Sequence, residues 1–177
     1  GRAIPSGGAG AGGGAQAGET RELCEDESGY YLARLDSLES LCGTPDRQPA
    51  LAHLVNLISS SRSSLWGIDF PFGLPIEVVH EGPRWPHQFH FISQWSHDPY
   101  ALGLECLRRA KSIGREMHIR RQTDSETKAP FDCYHYRIIY QFYHGMADVI
   151  APLTRTRRTA ILPFHYRRLP GAERVVA

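Results

Sequence analysis

The sequence predicts an α/β protein built on a mixed sheet, and three observations carry that expectation. Residues 64–70 form a short apolar run with a tryptophan and a β-branched residue, bounded by serines before and prolines after, the pattern of a buried central strand. Upstream, 21–25 and 30–35 read as a hairpin joined by Asp26-Glu27-Ser28-Gly29, which has turn composition. Between the two, Leu51, Leu54, Val55 and Ile58 recur at helical spacing behind Asp46, a capping residue type, so a helix leads into the strand. That strand ends in a carboxylate. Asp69 stands between Ile68 and Phe70, and Pro71 cannot continue a central ladder, which places the acid at the carboxyl edge of the sheet. Open α/β sheets bind their ligands at that edge. Pro71-Phe72-Gly73-Leu74-Pro75 then makes a rigid turn that presents the acid in one orientation. The competing reading is a strand-end Asp that caps its own turn.

The 177 residues suffice for one domain with a real core. No apolar run reaches the length of a membrane span, and no charged-then-apolar leader opens the chain. Cys24, Cys42, Cys106 and Cys133 are far apart and form no CxxC pair, which predicts a reducing, cytoplasmic protein without membrane partners. The chain opens on Gly1 and its methionines are Met117 and Met146, so a fragment is expected. The net charge of +1 hides a division: residues 1–107 carry net −7 and residues 108–177 net +8. Arg155, Arg157, Arg158, Arg167 and Arg168 are the densest basic group, the kind of surface a nucleic-acid backbone or phosphorylated ligand needs. A merely solvated basic face is the bland alternative.

Residues 1–18 read as a flexible Gly/Ala-rich segment, followed by a partial domain over 19–177. Gly8-Ala9-Gly10-Ala11-Gly12-Gly13 fits GxGxxG, but it lacks the strand, helix and downstream acid of a dinucleotide site. Residues 76–99 are an excursion rich in aromatics and proline, expected to pack as a lid or substrate wall. His87 and His90 within it have HxxH spacing without a third clustered ligand, which argues against zinc. Asp98 opens a helix with Leu104, Leu107 and Ala110 on one face and Gly114 as its stop. Residues 120–130 lack apolar periodicity and read as a loop in which Arg121, Asp124 and Lys128 offer an anion-binding fork, a carboxylate and a movable ammonium. Their bland alternative is a surface salt-bridge cluster. A helix is expected over 134–150 with Ile138, Phe142, Met146 and Val149 facing the core, and Tyr136, Arg137 and Gln141 are candidates to face the Arg121 loop. Residues 159–164 read as a buried strand and 174–177 as the start of another.

Three separated segments then match one family in order. Gly67-Ile68-Asp69-Phe70-Pro71-Phe72-Gly73-Leu74-Pro75, Arg121-Gln122-Thr123-Asp124 with Lys128, and Tyr136-Arg137, Gln141-Phe142 and Gly145-Met146 before Leu162-Pro163-Phe164 together resemble the domain of unknown function 429 family, predicted nucleases of the ribonuclease-H fold. The match runs from about residue 46 to 177. The resemblance implies a mixed sheet of antiparallel hairpin strands followed by parallel αβ units, flanked by helices, with acids meeting at adjacent strand ends. Asp69 would be the fourth-strand acid and Asp124 a second acidic position. Two expected pieces are absent: no Asp-bearing first strand precedes Gly1, so 2–4 looks like what remains of the second strand, and no acidic segment follows the last one.

The expected function is therefore metal-dependent phosphodiester hydrolysis in the intact protein, with Mg²⁺ or Mn²⁺ on Asp69 and Asp124. Asp69, Asp124 and Lys128 are the catalytic candidates. Arg121, Tyr136, Arg137 and Gln141 are those for binding a nucleic acid or nucleotide. The alternatives are a non-catalytic ribonuclease-H-like module that binds nucleic acid or a phosphorylated ligand, and an inactive fragment.

Overall fold

The computed structural model describes residues 3–8, 19–26, 29–79, 82, 84–114 and 116–177. It has six strands, β1 (Ala3–Gly8), β2 (Glu19–Asp26), β3 (Gly29–Ser37), β4 (Ser64–Ile68), β5 (Thr159–Ile161) and β6 (Arg174–Val176), in one sheet of order β3-β2-β1-β4-β6-β5. β1, β2 and β3 are antiparallel neighbours, whereas β1–β4, β4–β6 and β5–β6 pair in parallel. The α/β class and mixed sheet expected from the sequence are present. The chain divides into two compact units, Gly1–Phe70 with Asp148–Ala177, and Pro71–Ala147.

The first unit holds the sheet together with α1 (Leu38–Cys42), α2 (Arg47–Ser60) and α7 (Ala151–Thr154). Its core is Leu38, Ala50, Ile58, Trp66, Val149, Ile150, Leu153, Ala160, Ile161 and Val176. Asp46 occupies the N-cap position of α2 without a side-chain capping bond. The expected missing first strand is corrected: 3–8 is a strand, lodged between β2 and β4 with Ser6 opposite Gly67. Ala3-Ile4-Pro5-Ser6-Gly7-Gly8 carries no carboxylate. The flexible segment expected over 1–18 thus contains that strand, and the rest of it lies outside the described residues. β5 and β6 are shorter than the apolar runs suggest, at three residues each, with Leu162 N donating to Val176 O at 2.8 Å just past the end of β5.

Arg174, 7 % exposed, fastens the amino end of the parallel strands. Its guanidinium donates to Ser61 O at 2.9 Å and Arg157 O at 3.0 Å, and to Glu173 Oε2 at 2.9 Å. A buried guanidinium is stable only when its donors are satisfied in this way.

The second unit contains α3 (Trp85–Ser93), α4 (Pro99–Ser112), α5 (Gln122–Glu126) and α6 (Ile139–His144). The excursion at 76–99 is not simply irregular: it opens with a single 3₁₀ turn and contains α3, started by Pro86 in its first turn. Asp98 caps α4 by accepting from Ala101 N at 2.9 Å. The buried stripe of α4 is Pro99, Leu102, Gly103, Cys106 and Ala110, so the expected face is displaced and Leu104 is 48 % exposed. Gly103 accounts for the shift: a Cβ there would lie 3.3 Å from Ile139 Cγ1, and its absence lets α4 approach Ile139 closely. The helix expected over 134–150 starts instead at Ile139, passes through a π-helical segment at Gly145–Ile150 and ends as α7. The Asp132 side chain accepts from Tyr134 N at 3.0 Å, an Asx-type turn that competes with helix at 134–138.

Candidate functional site

Asp69 follows the last residue of β4 and is exposed, at the carboxyl end of a strand whose Ile68 N donates to Ala177 O at 2.8 Å. That is the position the sequence assigns it. Gly7-Gly8, Leu162 and Ala177 stand at the same ends of β1, β5 and β6, so among these described positions Asp69 carries the one acidic side chain.

The remaining candidates belong to the second unit. Asp124 is 5 % exposed in α5, and Arg121 at its N-cap binds it as a fork, Nε to Oδ2 at 2.9 Å and a terminal amino group to Oδ1 at 2.5 Å. The Arg121 backbone N–H also donates to Oδ2, at 3.1 Å. The other terminal amino group of Arg121 donates to Gly73 O at 3.2 Å. Burial works against the charged guanidinium, but the Asp124 hydrogen bonds outweigh it and hold its pKa above the usual arginine value.

Two more side chains grip the same short backbone. Trp85 Nε1 donates to Phe72 O at 2.7 Å. The Gln88 amide accepts from Leu74 N at 2.7 Å and donates to Leu74 O at 3.3 Å, as a neighbouring strand would. A Cβ at Gly73 would come within 3.0 Å of Gln88 Oε1, which explains the glycine. Arg121, Trp85 and Gln88 therefore hold 72–74 in place, and the Arg121 and Asp124 of the sequence pattern are joined to its Gly73 by structure. The proposed anion fork is already engaged.

Lys128 is exposed on the turn after α5, in the left-handed region at φ 54. Tyr136 and Arg137 are exposed, with Arg137 Nε donating to Tyr136 Oη at 3.1 Å, and Gln141 is half-buried in α6. Tyr136 and Arg137 thus pair with each other, while Arg121 takes its partners at Asp124 and Gly73.

The metal expectation can be tested on the donors. Both Asp124 oxygens accept from Arg121, and a cation would have to displace a guanidinium to reach them. Among the described residues no three His, Cys, Asp or Glu side chains converge on a point that would hold a metal ion. His87 Nδ1 instead accepts from Arg84 N at 3.4 Å at the start of α3. The described residues do not fit the two-ion site.

Two features carried no motif in the sequence. One is Arg174, whose partners come from three segments. The other is His118 with Asp132, fourteen positions apart, whose Nδ1 and Oδ2 atoms are 2.7 Å apart. All four cysteines are unpaired, with Cys106 and Cys133 buried. Among the described residues no helix is long and apolar enough to cross a membrane. Compared with family models, curated proteins and solved structures, the chain matches none.

Proposed function

We propose that this chain is a ribonuclease-H-like module that binds single-stranded nucleic acid, in a reducing, cytoplasmic setting. The observation that carries the reading is the surface around the edge strand β5. Arg155 and Arg157 are exposed just before that strand and Arg167 and Arg168 after it, where Phe164 is 43 % and Tyr166 71 % exposed. Arg158 is the exception in this group, since it is paired with Glu173. Guanidinium groups next to exposed rings suit a phosphate backbone with unstacked bases. The antiparallel β1–β3 followed by parallel strands, together with the family resemblance, supports the ribonuclease-H-like assignment. The test is fluorescence anisotropy of a labelled oligonucleotide against Arg157→Ser/Arg167→Ser. Weaker binding by the variant supports the proposal, and equal binding removes it.

The second reading is phosphodiester hydrolysis with Mg²⁺ or Mn²⁺, favoured by the exposed Asp69 at the end of β4. Because the described acids do not fit a two-ion site, no hydrolytic step is assigned to them. Cleavage of RNA, DNA or a nucleotide with Mn²⁺ that Asp69→Asn abolishes would establish this reading, and its absence would leave the binding module.

A further inference from the structure

The second unit carries a His118–Asp132 pair that neither reading uses, in a cluster with the Tyr136 and Arg137 that the sequence offers for binding a nucleotide. Asp132 is 3 % exposed, and its carboxylate accepts from Tyr134 N through Oδ1 and meets His118 Nδ1 through Oδ2. A carboxylate accepts only, so Nδ1 carries the proton and Nε2 is left as the working nitrogen of a ring that is 39 % exposed. Asp132 thus fixes both the tautomer and the orientation of His118.

Next to the His118 ring the surface is aromatic, and Arg137 lies over its outer rings. The His135 ring lies 5.7 Å from His118, 4.3 Å from Phe131 and 4.4 Å from Tyr136, measured between centroids. The Arg137 guanidinium lies 5.3 Å from the Phe131 centroid and 5.6 Å from that of Tyr136. Tyr136 is 62 % exposed. Burial is the first cause that lowers the His135 pKa, opposed by the Asp132 carboxylate and reinforced by His118 and Arg137. Packing alone accounts for the satisfied Asp132. It does not account for a tyrosine and an arginine ordered against one another at the surface, beside a tautomer-fixed histidine.

We propose that this cluster is a binding site for a phosphate monoester of an aromatic nucleoside, with the base stacked on Tyr136, the phosphate oxygens accepting from Arg137, and the remaining P–O–H of the monoanion donating to His118 Nε2. Asp132 is the positioning residue. Stacking on an exposed ring and a guanidinium beside an imidazole are the complementary chemistries for those two halves. The ligand is either a free mononucleotide or the terminal phosphate of an oligonucleotide. The inference does not rest on the basic surface near β5, which lies in the other unit.

The test is NMR of the whole chain titrated with adenosine 5′-monophosphate, following the His118 and His135 ring resonances and the ligand ³¹P signal. Both histidines are expected to shift, with adenosine and inorganic phosphate each binding about tenfold more weakly than the nucleotide. Arg137→Gln and Tyr136→Ser, both surface changes, are each expected to weaken binding about tenfold while the melting temperature stays put. In Asp132→Asn the His118 ring ¹⁵N shifts are expected to lose the Nδ1–H signature as affinity falls. A dinucleotide with a 5′-phosphate binding better than one without would identify the chain-end source, and equal binding of the two would identify the free mononucleotide. Unshifted histidine resonances at saturating nucleotide, or unchanged affinity in Arg137→Gln, would overturn the proposal. Because Arg157→Ser/Arg167→Ser leaves this cluster intact, loss of oligonucleotide binding in that variant with retained mononucleotide binding separates the two sites.

Discussion

Arg121 and Asp124 illustrate how a charged pair can be legible in a sequence while its use is not. Their residue types suggest an anion fork, but the partner that claims the second arm of Arg121 is the carbonyl of Gly73, 48 positions away. No local spacing announces such a bond. Asp124→Ala leaves the half-buried guanidinium without its carboxylate and is expected to destabilise the fold by about 3 kcal/mol, measured by urea unfolding. A change below about 1 kcal/mol would mark the pair as a solvated surface bridge. The cysteines offer a second residue-scale test. Burial pushes the Cys106 thiol up to about 12 and raises Cys133 well above the ordinary thiol range, so neither forms the reactive thiolate. Iodoacetamide is expected to label Cys24 and Cys42, both half-buried, in the native protein and all four after denaturation, as read by mass spectrometry. Native labelling of Cys106 or Cys133 would contradict that burial.

At the scale of elements, the parts with a strong period were readable and the parts fixed by distant partners were not. The strand that delivers Asp69 and the capped start of α4 follow from local chemistry. The face of α4 does not, because it turns on Gly103 making room for Ile139. Glu105 on that helix accepts from Arg108 through both oxygens at 2.6 Å and from Arg109 Nε at 2.7 Å. Arg109 continues to Val78 O at 3.0 Å and lies over the Phe91 ring at 4.2 Å. The Arg108 hydrogen bond is the first cause that holds the Glu105 carboxyl down at about 2 from its ordinary 4.5. A carboxyl depressed on folding adds stability above its unfolded pKa, and that stability is lost as pH falls from about 4.5 towards 2. Since Arg108 is mostly exposed, the contribution is about 1 kcal/mol. Glu105→Gln is expected to flatten that part of the acid-unfolding curve, and an unchanged curve would contradict it. Arg174 is the counterpart in the sheet: Arg174→Met removes bonds to Ser61, Arg157 and Glu173 and orphans two carbonyls, with an expected loss of about 3 kcal/mol in thermal or urea unfolding.

For the whole molecule, the division of charge visible in the sequence has a structural counterpart. The basic second half supplies the exposed arginines near β5 in one unit and Arg137 with its rings in the other. The composition could suggest a phosphate-bearing partner, yet it could not say which arginines are engaged, and Arg121, Arg158 and Arg174 all are. Four exposed arginines and two exposed rings flank the edge strand in sequence. The most direct test is the salt dependence of oligonucleotide binding, plotted as log affinity against log salt. The wild-type line is expected to be steep, and Arg157→Ser/Arg167→Ser to flatten it by about 0.7 for each arginine removed. No binding at low salt, or an unaltered slope in the variant, would contradict the nucleic-acid assignment.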